Sequence, residues 1–351
     1  LPILSEVTNI DILLDPSTPQ GMAFRYMADE DPYNPCLTSV KQRYGLITLY
    51  YSTNGETWTT SDGWLGETQE CEWFGVICAN VDDRSQVTGL RLGKILGSEI
   101  HVFTKKLQGL ILCFSSTLDF ASPAINKLDG PIPDEISTLI MTEELDFFAN
   151  ALSGTIPRGI TNLTSMALFD VSENLLTGEP FPASVVGLGQ LQIYRIGSNE
   201  LVGPIPSEIT GLTSLKELSA FNNGLNGTLP TELGVLRQLE SLFLFGNELV
   251  GSIPSELGRL PLRALRLQEN FFQEEIPSDL FNIGSLEIIR LDSNFFFGPL
   301  PATIGQLANL KDLRVDKNNL SGQIPTEIGF LTNLGMLTFS VSFFALSFFC
   351  C

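Results

Sequence analysis

The chain has 351 residues, 43% of them hydrophobic, enough to bury a large core. Forty acidic residues stand against 20 basic ones, a formal net charge of −20; this argues against nucleic acid and anionic membrane surfaces as partners. The single histidine, His101, is the one candidate for histidine-based catalysis, and no H-E-x-x-H, P-loop, kinase glycine loop or H-R-D occurs, so the sequence reads as non-catalytic, with no cofactor or metal.

Residues 1–35 are rich in Pro, Asp and Thr without sustained periodicity and read as a partly ordered leader. The chain starts at Leu1 with no visible signal peptide, and reads as a fragment or trimmed chain. Residues 36–54 read as a helix, because Val40, Tyr44, Ile47 and Tyr51 fall at helical spacing; Asn54-Gly55 ends it with turn chemistry. All three tryptophans, Trp58, Trp64 and Trp73, lie in W-T-T-S-D-G-W-L-G-E-T-Q-E-C-E-W-F-G-V-I-C, residues 58–78. Of the six cysteines (Cys36, Cys71, Cys78, Cys113, Cys350 and Cys351) only Cys71 and Cys78 have an informative spacing. They suit a local disulfide in an oxidising compartment; the rival, a zinc site, lacks two further ligands nearby.

A repeating phrase follows. In residues 239–251, L-E-S-L-F-L-F-G-N-E-L-V-G, leucines stand at 239, 242, 244 and 249 around Asn247. Aligned on the asparagine, the phrase recurs at Asn126, Asn150, Asn174, Asn199, Asn223, Asn247, Asn270, Asn294 and Asn318, with spacings of 24, 24, 25, 24, 24, 23, 24 and 24. The 25 carries one extra residue in Glu179-Pro180-Phe181-Pro182, and the 23 a trimmed Arg259-Leu260-Pro261-Leu262. Positions eight, five and three before the asparagine are apolar in nearly every copy (Thr142 is a weak exception) and alternate with polar residues, as a half-buried strand requires. The asparagine amide can serve backbone groups where the chain leaves the strand, and stacked copies should form a ladder. Glycine four residues later, replaced only by Glu274, permits a bend closed to other residues, and Ile-Pro or Leu-Pro starts the return path. This is a leucine-rich repeat, in which each unit contacts only its neighbours and the ends need covers; the three tryptophans can supply the first.

The pattern W…C-x-W-x-G-V-x-C resembles the N-terminal cap of plant-type leucine-rich-repeat ectodomains, and G-x-I-P resembles the plant-specific class of repeat. The resemblance covers about residues 40–340. It implies an α/β, curved solenoid (the horseshoe, L domain-like fold) with a parallel sheet on the concave face, a helix-and-disulfide cap, and a return path carrying a second short strand and a 3₁₀ turn. The organisation expected is a leader at 1–35, a cap at 36–86 and an array of about ten repeats at 87–351. The stretches D-E-D-P and Q-R-Y-G-L-I-T-L-Y-Y-S-T-N-G-E-T-W also resemble leucine-rich-repeat receptor-like proteins of diatoms and other algae, which implies a membrane span ahead of Leu1.

Two stretches break the array. The first strand, V-T-G-L-R-L at 87–92, should have its asparagine at 95, where Ile95 stands; the fitting one is Asn126, a surplus of 31 residues. Removing 94–124 restores L-R-L-G-I-N-K-L-D-G-P-I-P. The removed piece, which holds His101 and Cys113, reads as a retained intron, because Gly93-Lys94 can be encoded by GGTAAG; a looped-out insertion is the alternative. At the other end Leu334, Leu337 and Phe339 start a tenth repeat, but Ser342 replaces its asparagine. The apolar tract 336–351 has 16 residues, short of the roughly 20 that span a bilayer. It reads as a truncation or a misread gene end, with the start of a span or a degenerate last turn as alternatives.

The variable strand positions carry the functional expectation. Four residues before each asparagine the column reads Arg91, Asp146, Asp170, Arg195, Ser219, Phe243, Arg266, Arg290 and Arg314. Its last three members form an arginine ladder, flanked by Asp292 and Asp316, that suits a carboxylate, sulfate or phosphate on a ligand; ordinary surface ion pairing is the alternative. Phe221, Phe243 and Phe245 should cluster mid-array on the same face, with Phe148 toward the N-terminal end. That makes either a binding patch or lateral packing between strands. The carboxylate pairs Glu143-Glu144 and Glu274-Glu275 read as solvated surface rather than a glycosidase dyad. Asn162, Asn226 and Asn319 lie in N-x-S/T sequons suited to glycosylation. The expectation is an extracellular or cell-surface, receptor-like module that takes a protein, peptide or glycan on its concave face, together with a co-receptor. A secreted cell-wall or polygalacturonase-inhibitor-like binder is the alternative. Contact with a membrane would come only through a segment outside this chain.

Overall fold

The computed structural model describes residues 3–31, 40–81, 84–92 and 126–339. The insertion at 94–124, with His101 and Cys113, and Cys36, Cys350 and Cys351 lie outside the described residues. Ten parallel strands line one face, from Arg84–Arg91 through Glu144–Asp146 to Met336–Thr338, and Val76–Val81 joins antiparallel at the N-terminal edge. Each coil leaves this sheet at its asparagine, runs through a short lateral strand, and returns by a short helical turn. That turn starts directly after a proline: Pro206 precedes Ser207–Gly211, and Pro254 precedes Ser255–Arg259. Proline suits this N-cap place, where the backbone is still extended (φ −79° and ψ 158° at Pro206), because its ring fixes φ near that value and it carries no N–H to leave unpaired. The apolar columns are fully buried, as in Leu215, Leu218 and Ala220. Thr142 is buried too, with no hydrogen-bond partner for its hydroxyl.

The asparagine ladder is the main polar element of the core. Oδ1 of Asn247 accepts from the backbone N–H of Leu225 in the preceding coil at 3.0 Å, while Nδ2 donates to the carbonyls of Ala220, Leu244 and Phe245 at 3.0, 2.9 and 3.2 Å. Asn174, Asn270 and Asn318 repeat the pattern. The residue just before each of these asparagines is left-handed: Ala149, Glu173, Ser198, Asn222, Gly246, Glu269, Ser293 and Lys317 have φ between 49° and 66°. Seven of the eight are not glycine, so the ladder bonds hold a backbone conformation that L-residues disfavour.

The two odd coil lengths have local accommodations. Around the extra residue the return turn becomes a short α-helix, Ala183–Val186. Tyr194 takes the usual leucine column there, with its hydroxyl donating to the Pro180 carbonyl at 2.7 Å and its ring stacked near Phe169. At the trimmed coil, Leu260 is extended where the matching Leu236 and Leu212 are not.

The N-terminal end is closed by the helix Val40–Ser52, buried on nearly every side. Its Gly45 meets the first return turn, where a Cβ would lie 2.0 Å from the Thr138 hydroxyl. Trp58, Trp64 and Trp73 pack in a row with ring centroids 4.9 and 5.0 Å apart, and Cys71 and Cys78 are joined by a disulfide. The leader residues add two short helices, Ile10–Leu14 and Pro19–Arg25. Asn9 and Thr18 cap them, and Leu4, Leu13, Ala23 and Tyr26 enter the core.

The residues flanking the insertion close one coil between them. Leu92 donates its N–H to the Asp146 carbonyl, and its own carbonyl accepts from Asn150, the bond that each ladder asparagine makes to the preceding coil. Asn126 completes the same coil, with Oδ1 accepting from the Thr60 N–H of the cap at 2.9 Å. The cap loop thus stands in for a preceding repeat. Deleting 94–124 should therefore leave the melting temperature within about 2 °C, since the ladder bonds and core columns among the described residues all lie outside that segment. Loss of a single cooperative transition on deletion would show that the segment is part of the fold.

Candidate functional site

The open face of the sheet is set by strand register. Ser219 pairs with Phe243, Phe243 with Arg266, Arg266 with Arg290, and Arg290 with Arg314. The column read from sequence is therefore continuous across the coils, with rungs about 4.8 Å apart. Side chains along it divide the face into three zones.

The N-terminal zone is acidic. Asp146 and Asp170 are register partners. Burial pushes the Asp146 carboxyl up to about 7, with the neighbouring Asp170 adding to the effect, and burial also raises Asp170. Arg195 contacts Asp170 at 3.5 Å and forks onto Glu217 at 2.6 and 3.0 Å. Burial opposes its charge, but Glu217 and Asp170 hold its pKa above the ordinary value. Arg91 forks onto Glu144, so the Glu143-Glu144 pair is not a free dyad.

The middle zone is aromatic. The rings of Phe221 and Phe245 stack with centroids 4.7 Å apart and planes 5° off parallel. Phe221 lies over Gly197, where any Cβ would come within 2.5 Å of the ring. Phe243 is covered by the Arg266 guanidinium, 5.1 Å from the ring centroid. All three phenylalanines remain half-buried, and Phe148 is half-buried toward the N-terminal side. Lateral packing and an accessible apolar surface thus coexist in the same residues.

The C-terminal zone is the arginine ladder, and its members are not equivalent. Arg266 is 7% exposed and sits beneath the surface against Phe243. The side chains of Arg290 and Arg314 are 17% and 31% exposed and share the Asp312 carboxylate, at 2.7 and 3.1 Å. Two guanidiniums therefore share one carboxylate, with Asp292 and Asp316 alongside. Beside them, burial raises the Asp292 carboxyl, helped by nearby Asp316, and Thr338 donates to Asp316.

Asn162 and Asn319 are exposed and Asn226 is half-buried, and none belongs to the ladder. Glu274, where glycine is replaced, avoids positive φ; with Glu275 it lines an open hollow beside Phe297 on the lateral side. Among the described residues no cluster of His, Cys, Asp and Glu is placed to hold a metal. No helix among them is long and apolar enough to cross a membrane.

The sequence reading did not find two features. The lateral phenylalanines Phe271, Phe295 and Phe297 are 48%, 50% and 43% exposed; their recurrence one and three residues after the asparagines was the available signal. The cap core is built on Arg43, completely buried between Asp31 and Glu70; no local signal marks it.

Comparison with known proteins agrees with this geometry. The Leucine Rich Repeat family profile matches residues 238–260 and 309–331. Receptor-like protein 18 of Arabidopsis thaliana is 31% identical over 102 residues, covering 29% of this chain and 12% of its own length. Two solved Arabidopsis structures are similar. One is the ectodomain of the membrane receptor kinase GASSHO1/SCHENGEN3 in complex with Casparian strip integrity factor 2, with TM-score 0.66 and 28% identity over 81% of this chain and 33% of that one. The other is the receptor kinase HAESA in complex with the peptide hormone IDA and the co-receptor SERK1, with TM-score 0.62 and 26% identity over 85% and 48%. The chain thus spans an eighth to a half of the length of these relatives.

Proposed function

We propose that this chain, which belongs to the plant-type leucine-rich-repeat family, is an extracellular, receptor-like and non-catalytic recognition module that takes a peptide along its concave face. The observation that carries the reading is the order of the three zones on one continuous face. A peptide backbone or apolar side chains would lie across Phe221, Phe243 and Phe245. A carboxylate would face Arg290 and Arg314, whose forks suit it, and a basic group would face Asp146, the more accessible of the acidic pair. The receptors named above, one of them solved with a peptide hormone and a co-receptor, support this class of ligand.

The test uses an array of random peptides with free C-terminal carboxylates, and the same peptides amidated. Arg290→Gln with Arg314→Gln should weaken the best binders at least about tenfold, the equivalent of one lost charge-assisted hydrogen bond. Amidation should weaken them similarly, with no further loss in the double variant. Arg266 is left intact because its replacement would also disturb Phe243. Unchanged affinity in the double variant, with an unchanged melting temperature, would remove the arginines from the site.

A further inference from the structure

The lateral face between the last coils carries an exposed aromatic run with a sequon as its next rung. Phe271 and Phe295 occupy the position after the asparagine in successive coils and stack, with centroids 6.2 Å apart and planes 11° off parallel. The same position in the following coil is Asn319, which opens the sequon Asn319-Leu320-Ser321 and is exposed. Asn319 is also the register partner of Phe297 in the short lateral sheet of Phe297–Gly298 with Asn319–Leu320. An asparagine so placed has a phenylalanine on the adjacent strand at about 4.8 Å and a stacked pair continuing away from it. Beyond Phe297 lies the open hollow lined by Glu274 and Glu275.

We propose that Asn319 is a glycosylation site whose N-linked sugar lies on Phe295 and Phe297 and covers this apolar run. The first N-acetylglucosamine presents an apolar C–H face that packs on an aromatic ring while its hydroxyls stay in water. The carboxylates of Glu274 and Glu275 are placed to accept hydrogen bonds from sugars further along. Apolar patches on a protein surface are otherwise liabilities for association. The other sequons lack this setting: Asn226 pairs with Glu248, and Asn162 ends the return turn Arg158–Asn162.

The proposal rests on the extracellular reading for its occurrence in the native cell, but its geometry can be tested apart from that reading and from any ligand. The chain is produced in a eukaryotic secretory host, and the glycans are trimmed to one N-acetylglucosamine. Peptide mapping should find Asn319 occupied. The trimmed protein should melt about 2 °C above Asn319→Gln, a shift expected for roughly one well-packed contact. Ser321→Ala should match Asn319→Gln. On a Phe295→Ser/Phe297→Ser background the sugar-dependent gain should vanish, while Asn162→Gln on the native background should change nothing. An unoccupied Asn319, or a gain that survives loss of both phenylalanines, overturns the proposal. So does a patch that mediates concentration-dependent dimerisation of the glycosylated chain.

Discussion

Asn247→Ala is expected to lower the unfolding free energy by about 2–4 kcal/mol, far more than the loss of a solvated turn asparagine would cost. The amide is buried, and its Oδ1 accepts the hydrogen bond of the buried Leu225 N–H. Alanine leaves that donor without its ladder acceptor. The carbonyls lose less: Leu244 O keeps the bond from Asn270, and Phe245 O keeps the Asn222 N–H. The alanine also removes the support for the left-handed Gly246 that precedes it. Because the coils are coupled through shared bonds, the loss should reach both neighbours. Urea unfolding followed by circular dichroism measures it; Asn226→Ala, at a half-buried site outside the ladder, serves as the control. A loss below about 1 kcal/mol would mean that water replaces the ladder amide in the variant.

Arg43→Leu should cost about 3–5 kcal/mol, the range for breaking a buried ion pair from one side. The Arg43 side chain is completely buried. It forks onto Asp31 at 2.6 and 2.7 Å, lies 3.5 Å from Glu70, reaches the carbonyls of Gly66 and Thr68, and sits 4.8 Å over the ring of Trp73. Leucine fills much of the volume but strands two carboxylates. Burial already raises the Glu70 carboxyl in the native chain, with Arg43 among the groups opposing that rise. Without the guanidinium the folded-state pKa rises further above the unfolded one. For an acid shifted upward, the associated stability is complete below the unfolded pKa and is lost as pH rises through the folded one. The variant should therefore be less destabilised near pH 5 than near pH 8, relative to the native chain at each pH. Thermal unfolding across that range checks the sign; a deficit that grows toward low pH would refute the account. If the cap melts before the array, the transition will split, as repeat architectures allow.

The two variants also divide what sequence can convey. Asn247 was legible because its role depends on a bond to the same position one coil away, and that relation recurs every 24 residues or so. Repetition turns a tertiary contact into a sequence period, so the leucine columns, the asparagine ladder, the proline-started returns and the register of Arg266, Arg290 and Arg314 could all be placed beforehand. The Trp-rich cap with its Cys71 and Cys78 pair could be placed by resemblance. Arg43 was not legible, because its partners Asp31 and Glu70 lie on either side at distances that no period connects. The leader helices were missed even though Asn9 and Thr18-Pro19 are local start signals, since two turns of helix show too little periodicity. The left-handed residues were hidden for another reason. Positions such as Glu269 and Lys317 are held by hydrogen bonds from their neighbours and not by their own chemistry.

By itself, then, the sequence determined the solenoid, its direction, its coil boundaries and which side chains face outward, because each of these repeats or depends on near neighbours. Only the tertiary structure decided how those outward side chains share space. It placed Arg266 under the surface against Phe243, set Arg290 and Arg314 on one Asp312 carboxylate, stacked Phe221 on Phe245 over Gly197, and put Asn319 beside Phe297. The physical reason is that a column fixes which residues are adjacent. Burial, charge sharing and ring packing between the adjacent residues depend on rotamers and on the gaps left by small neighbours, which no single position encodes.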